Sequence, residues 1–522
     1  MKKKTVYTVN GKRLEREVNY IPVRYIIAMV ITVFEILAII GVVVVLCYFV
    51  PYFYLAVLAT QICCVVGIIA TDDNPDYKIP WLLFVMILPI AGFMLYFLFY
   101  KRNLNKKFRR RLEELFARRY EKDDSETFTR LHAEDPTAAT QAQMLCSIAD
   151  TRLFTNTKQE YFSLGEEMWT RLLSDLRGAQ KFIFMEYFIV EEGKFWNSIL
   201  EILKEKAADG LEVKVVYDDI GCMSTLPGNY AKRLKKFGIE ATPFSRLRGS
   251  ADGEFNNRSH RKNTVIDGVI AYTGGVNIAD EYINEVKRFG HWKDVGVRLE
   301  GDAVWEMTRL FLVDYGMNVK RAEEWKNTYF PNFEYGKTEQ GYVIPFGDGP
   351  KPIYSRNVGK SVILNLLSAA TEYVDITTPY LILDNELCSA IENTALRGVR
   401  VRIILPHIPD KKLVFEATRS FYKRFLDAGV EIYEYTPGFI HAKIYLVDGQ
   451  YAMIGTINLD YRSLVHHFEN GVWMYRCDCI KDVEKDIRET VEKSEKIERE
   501  KWKVSVPKRM LRSLVRIFAP LL

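Results

Sequence analysis

Ser259-His-Arg-Lys-Asn-Thr-Val-Ile-Asp-Gly268 and Ile440-His-Ala-Lys-Ile-Tyr-Leu-Val-Asp-Gly449 read as two copies of one segment. His260, Lys262, Asp267, Gly274 and Asn277 recur as His441, Lys443, Asp448, Gly455 and Asn458, all displaced by one interval. A single His-x-Lys-x-x-x-x-Asp match is weak, arising by chance in roughly a few chains per hundred. Two in register, each followed by the same Gly and Asn, are not chance. In both copies a β-branched, apolar run leads into Asp-Gly, the strongest short signal for a hairpin because both central positions need positive φ. On such a strand a His and a Lys two residues apart point to the same face. An imidazole and an ammonium are therefore held side by side, twice.

That pairing suits an anionic, phosphorus-centred substrate. Histidine serves as nucleophile or as general acid and base near neutral pH. Lysine supplies a point charge for phosphate oxygens and for the negative charge of the transition state. With the two copies facing each other, one histidine would attack phosphorus while the other protonates the departing alcohol. The hairpin turn alone accounts for an Asp before Gly, so Asp267 and Asp448 have a structural reading beside the catalytic one. Gly274-Gly275 and Gly455-Thr456 are either tight turns or small residues that let backbone approach phosphate. His132, His291, His407, His466 and His467 lie outside the repeat and are read as surface or satisfied core residues.

The chain is similar to the phospholipase D superfamily, which is defined by His-x-Lys-x-x-x-x-Asp followed by Gly-Gly or Gly-Ser/Thr and Asn. More narrowly it resembles the bacterial cardiolipin synthases of that superfamily, over nearly its whole length. The resemblance is carried by Met185-Glu-Tyr-Phe188, Tyr217-Asp-Asp-Ile-Gly221, Gly274-Gly-Val-Asn-Ile278, His291-Trp-Lys-Asp294, Thr378-Pro-Tyr-Leu381 and Gly455-Thr-Ile-Asn-Leu-Asp-Tyr-Arg-Ser463. It implies a phosphohistidine on His260, with His441 as the acid for the first leaving group and the base for the second alcohol. Lys262, Lys443, Asn277 and Asn458 would bind phosphoryl oxygens. An acidic residue would orient each histidine: Glu469 in the second copy, and Asp294 in the first, with Glu285 the weaker candidate. Two positions depart from the family: Ser259 and His467 stand where Asn is usual, which bears on specificity rather than reaction class.

The N-terminal region points to a membrane. Tyr25–Val50, Tyr52–Ala70 and Ile79–Tyr100 are each apolar and long enough for a span of about 20 residues. Their lengths argue against a cleaved signal peptide. Lys101-Arg-Asn-Leu-Asn-Lys-Lys-Phe-Arg-Arg-Arg111 is heavily basic and the turn Asp72-Asp-Asn-Pro-Asp76 acidic, so the positive-inside rule puts the catalytic part in the cytosol. The first residues, with Lys2, Lys3, Lys4, Lys12, Arg13 and Arg16, are basic as well. Three full spans would strand them outside, whereas two spans plus a re-entrant or interfacial segment would not. Glu35 within the first stretch is left outside the site.

A length of 522 residues exceeds one domain, and the net charge of +5 is modest. Trp502 to Phe518 can form a basic amphipathic helix lying on anionic lipid. Cys477-Asp-Cys479 has no partner pair at zinc spacing, so neither a metal site nor a disulfide framework is suggested, and no cofactor is expected. After a polar stretch each half alternates strand and helix, which argues for mixed sheets flanked by helices. The expected class is α/β, with two pseudo-twofold-related phospholipase D-like domains behind a transmembrane helical region. The segments are 1–24 (basic), 25–100 (membrane), 101–145 (basic helical linker), 146–346 and 347–500 (the two domains), and 501–522 (basic, amphipathic). The function implied is a phosphatidyltransferase joining two phosphatidylglycerols, with phospholipid hydrolysis or superfamily nuclease chemistry as alternatives and no nucleic-acid partner expected.

Overall fold

The computed structural model describes residues 2–9, 12–19, 23–97, 110–111, 114–115, 124–246, 256–319, 325–330, 341–351 and 353–518. The basic residues 101–109 lie outside the described residues.

Two mixed sheets form the catalytic part. In the first, the strand order is Thr157–Phe162, Gly296–Gly301, Ile270–Gly274, Lys262–Ile266, Phe182–Tyr187, Glu212–Asp218, Glu240–Phe244. The second runs Tyr342–Asp348, Glu469–Tyr475, Tyr451–Gly455, Ile444–Val447, Tyr373–Thr377, Arg400–Pro406, Glu431–Tyr435, with Ser494–Ile497 added at the edge. The connectivity repeats position by position, antiparallel as far as the fifth strand and parallel from there to the seventh. The Asp-Gly turns form as expected, with φ of 56° and 70° at Asp267 and Gly268 and 52° and 61° at Asp448 and Gly449.

A shared core joins the sheets. Phe184, Val265 and Val297 from one side meet Ile444, Ile454 and Val472 from the other. Helix Val304–Asn318 lies in this layer and is buried nearly all round, its charged Glu306 and Arg309 paired with each other and Asp314 with Arg261. Helices Gly165–Gly178 and Lys194–Ala208 cover the outer face of the first sheet. The outer face of the second is covered by Val358–Ala369, Asn385–Leu396 and Pro136–Ala149. The last of these overlaps the stretch read from sequence as a linker. Asp135 caps it, accepting from Thr137 N at 2.8 Å and Ala138 N at 3.0 Å, and Ala142 and Leu145 put it in the core.

At the N-terminus Lys2–Val9 and Lys12–Asn19 pair as a hairpin, followed by helices Val23–Phe49 and Pro51–Ile69. Val50, which precedes Pro51, is extended and breaks the two helices apart. Within Pro51–Ile69, Tyr52–Ile69 is 18 residues long with mean hydropathy 2.1, long and apolar enough to cross a membrane. The third apolar stretch is not one helix. Leu88 before Pro89 leaves the helical region (φ −126°, ψ 76°), so Pro75–Ile87 and Pro89–Leu95 are two short helices folded on each other. A Cβ on Gly92 would collide with the Phe84 carbonyl, so glycine permits the close return. The acidic turn also sits where charge counting did not place it. Asn74 Nδ2 donates to Asp384 Oδ2 at 2.7 Å and Asn385 N donates to Asp76 Oδ2 at 2.7 Å, so the turn rests on the catalytic part.

Candidate active site

His260 and His441 stand at the starts of equivalent strands, and each is tied to the opposite half. His260 N donates to Phe468 O at 2.8 Å and His441 N to Lys293 O at 2.7 Å. The side chains repeat the exchange. His260 Nδ1 lies 2.9 Å from Glu469 Oε2, and His441 Nδ1 lies 2.7 Å from Asp294 Oδ2. Glu469 and Asp294, the acids read from the resemblance, thus each contact a histidine, but in each case it is the histidine of the other copy. With Nδ1–H donated to a carboxylate, Nε2 of each ring is left for chemistry. Glu285 is elsewhere, paired with Lys194.

Both histidines line one cavity of about 360 Å³. Burial, opposed by Glu469 and reinforced by Lys262, pushes His260 down to about 3. Burial with Lys443 alongside takes His441 down to about 4, against the pull of Asp294. Both rings are neutral at pH 7. Burial would raise Asp294 and Glu469, but His441 and Lys443 outweigh it at Asp294, and His260 and His467 at Glu469, so both carboxyls lie below the usual range. Burial also lowers Lys262 to about 7 and Lys443 to about 8. Lys262 Nζ donates to His260 O at 2.6 Å, and Lys443 Nζ to His441 O, which folds each ammonium against its own histidine.

The surrounding residues differ between the halves. Gly275 is needed because a Cβ there would strike the Asp294 carboxylate. Its counterpart Thr456 instead donates its hydroxyl to Glu469 Oε2, and Ser463 Oγ donates to Oε1 at 2.7 Å. Asn277 is satisfied within the protein, accepting from Ile189 N at 3.0 Å and donating to Tyr282 Oη at 2.7 Å. Asn458 keeps its Oδ1 without a hydrogen-bond partner among the described residues, and it lines the cavity. His260 is flanked by Phe188 and His467, with ring centroids 5.2 and 5.5 Å away. His441 is flanked by Tyr282, Trp292 and Phe439 at 5.6, 5.7 and 5.9 Å.

Asp267 and Asp448 are not brought to the cavity. Asp267 Oδ1 accepts from Lys181 N at 2.6 Å and Phe182 N at 2.9 Å. Asp448 Oδ1 accepts from Glu372 N and Tyr373 N at 2.9 and 2.7 Å, and Oδ2 from Thr371 N at 2.7 Å. Each carboxylate clips the hairpin turn to the start of the neighbouring strand. The motif's Asp is thus a fold residue at the far end of the strand from its His.

Three residues stand where the sequence reading did not put them. Arg261, hidden as a variable position of the motif, is fully buried and donates to Asp314 Oδ2 at 2.7 Å and to Glu469 O at 3.0 Å, fixing the backbone of the orienting acid. Ser463 closed the quoted Gly455–Ser463 stretch, which was its only signal. His467, read as a surface or core residue and as a departure from the family that bears on specificity, stands in the cavity wall. His260, His467 and Glu469 are the metal-capable grouping among the described residues, with one ligand atom each inside 4.8 Å. Both Glu469 oxygens are already engaged by His260, Thr456 and Ser463.

Two mutually oriented imidazoles with a lysine each, on a duplicated mixed-sheet fold, define a phosphodiester-transferring enzyme of the phospholipase D superfamily. Residues 363–491 match the family described as "Cardiolipin synthase, PLD-like domain", and 61–99 match "Phospholipase_D-nuclease N-terminal". The chain is 31% identical to a cardiolipin synthase of Halalkalibacterium halodurans, covering 90% of this chain and 93% of that one. It is 32% identical to cardiolipin synthase 2 of Bacillus cereus, covering 86% and 88%. An uncharacterized protein of Streptococcus mutans is 41% identical over 85% of this chain and 96% of its own. Among solved structures, the phosphatidylserine synthase of Haemophilus influenzae superposes with a TM-score of 0.55 at 17% identity, over 73% of this chain and 98% of that one, which speaks to the fold. The chain belongs to the cardiolipin synthase family, a family of phosphatidyltransferases.

Proposed function

We propose that this enzyme transfers a phosphatidyl group from one phosphatidylglycerol to the free glycerol hydroxyl of another, giving cardiolipin and glycerol. The observation that carries the reading is the crossed pair His260–Glu469 and His441–Asp294 on one cavity. His260 Nε2, neutral and held by Glu469, attacks the donor phosphorus. The phosphorus–oxygen bond to glycerol breaks, and His441 Nε2–H gives its proton to the leaving oxygen. His441 then takes the proton of the incoming alcohol as that oxygen attacks phosphorus and the phosphorus–nitrogen bond breaks. The substrate anion raises both imidazoles, which lets one of them carry the proton this scheme needs. Lys262 and Lys443 bind the non-bridging oxygens, and Asn458, which lines the same cavity, supplies an amide N–H to them.

The repeated strand order supports a pseudo-twofold between halves dividing near residues 347–350. The membrane part is proposed as two spans, Val23–Phe49 and Pro51–Ile69, with 75–95 re-entrant and the catalytic part cytosolic. Support comes from the acidic turn: it rests on the catalytic part at Asn74 and Asp76, and the chain is packed on that part again from helix Pro136–Ala149.

Mass spectrometry of lipids after incubating the purified protein with phosphatidylglycerol vesicles tests the reaction. Cardiolipin plus glycerol from the intact protein and not from His441→Ala is expected. Phosphatidic acid in place of cardiolipin would make it a hydrolase.

A further inference from the structure

Charge and hydropathy alone turn the basic residues of a helix such as Val506–Phe518 outward and its apolar residues inward. The structure has them the other way round. Arg512 is buried, its Nε donating to Glu416 Oε2 at 2.8 Å, and Lys508 Nζ lies 3.2 Å from Glu416 Oε1. The guanidinium of Arg512 is 5.3 Å from the Trp502 ring centroid, and that of Arg516 is 4.4 Å from Phe421. Three of the four basic residues are thus engaged by the protein. At about 100° per residue, Met510, Leu514 and Ile517 fall on the opposite side. They are 63%, 57% and 38% exposed, with Val506 and Leu511 exposed beside them.

This outward apolar face continues onto the membrane region. Phe518 meets Phe84 with ring centroids 5.4 Å apart, and Ile517 and Ile79 line one groove. Met86, Ile87 and Leu88 of the turned-back segment are exposed as well. Inward, Val515 packs in a cluster with Ile382, Ala417 and Tyr461, and Ile382 and Tyr461 line the active-site cavity. One layer of side chains separates the helix from that cavity.

We propose that helix Val506–Phe518 is inserted, apolar face first, into the headgroup–acyl boundary of the bilayer, and that its basic face pins the catalytic part to that boundary. The bilayer is the occupant this surface fits because the face is continuous with helices that themselves need hydrocarbon. The contact is hydrophobic rather than electrostatic, so it resists salt. Its consequence, which rests on the phosphatidyltransferase reading, is that the cavity is held where lipid headgroups lie and substrate enters without leaving the membrane.

The test uses the full chain reconstituted in phosphatidylglycerol-containing vesicles, with Cys47 and Cys63 replaced by serine and a nitroxide label on Leu514→Cys or Arg509→Cys. Expected is a Leu514 label more accessible to oxygen than to an aqueous nickel chelate, unchanged in high salt, and the reverse at Arg509. Preferential access of the chelate at Leu514 overturns the proposal, as does loss of access to both reagents, which would mean a second copy of the chain covers the face. Independently, Leu511→Asp/Leu514→Asp lowers cardiolipin formation from vesicles roughly tenfold, while turnover of short-chain, monomerically dissolved phosphatidylglycerol is kept. Equal loss on both substrates overturns it. If the parent chain makes no cardiolipin from either substrate, the function reading fails, and the label depths still decide the helix.

Discussion

Gly275 and Thr456 occupy equivalent places in the two copies, yet one must lack a side chain and the other uses its hydroxyl. The difference follows from the acids they face: the Asp294 carboxylate fills the space of a Cβ at Gly275, whereas the Glu469 carboxylate takes a hydrogen bond from Thr456. Gly275→Ala therefore displaces Asp294 from His441. We expect kcat to fall by about 10²-fold or more with little change in melting temperature, by analogy with losing the orienting acid of a catalytic histidine. Unchanged kcat would remove Asp294 from the orientation of His441. The lysines set a pH dependence. Burial lowers Lys262 to about 7 and Lys443 to about 8, so their positive charge is present below those values and lost as pH rises through them. In the free enzyme kcat/KM should accordingly decline above about pH 7 to 8. The limb in kcat should lie higher, because the bound anion stabilises both ammonium groups. A kcat/KM profile flat to pH 10 would exclude the two lysines from substrate binding.

At the level of the element, the motif aspartates belong to the hairpins. Asp448 accepts three backbone N–H groups and the Thr371 hydroxyl, so Asp448→Ala should destabilise the fold by about 2 kcal/mol. Burial raises its carboxyl, but the bonds from Tyr373, Thr371 and Glu372 outweigh it and hold the value below the ordinary 3.8. A depressed carboxyl stabilises the fold above its unfolded value, so this contribution is present above about pH 4 and is lost as acid protonates the group. Chemical denaturation at pH 7 and at pH 3 checks both points: the variant's deficit should shrink at the lower pH while kcat at pH 7 stays near that of the parent. A large loss of kcat in a folded Asp448→Ala enzyme would return this residue to the chemistry.

For the whole molecule, the decisive contact is that of the turn 72–76 with Asp384 and Asn385. It predicts that Asp73 and the exposed Lys481 of the catalytic part face the same side of the membrane. Single cysteines at Asp73→Cys and Lys481→Cys, with the exposed native thiols removed, should react with a membrane-impermeant maleimide from the same side in oriented vesicles. Labelling from opposite sides would restore three full spans and break the contact.

The duplicated His-x-Lys strands, their Asp-Gly turns and the alternation of strand and helix were legible in the sequence, because period-two patterning and positive-φ turns are local properties. So were the two histidines and two lysines, through the repeat, and the two acids that contact the histidines, through the family resemblance. Local patterning carries no information about which half of a duplicated chain an acid faces. The crossing of Glu469 to His260 and Asp294 to His441 follows from packing the two sheets on a common core. For the same reason Arg261, and the place of His467 in the cavity wall, came into view only with the tertiary structure. The break at Leu88-Pro89 was written in the sequence as a residue before proline, but continuous apolarity masked it. The inward turn of Arg512 and Arg516 had no sequence signal at all. An amphipathic pattern fixes that a helix has two faces; Glu416, Trp502 and Phe421, brought from elsewhere in the chain, decide which one the protein keeps.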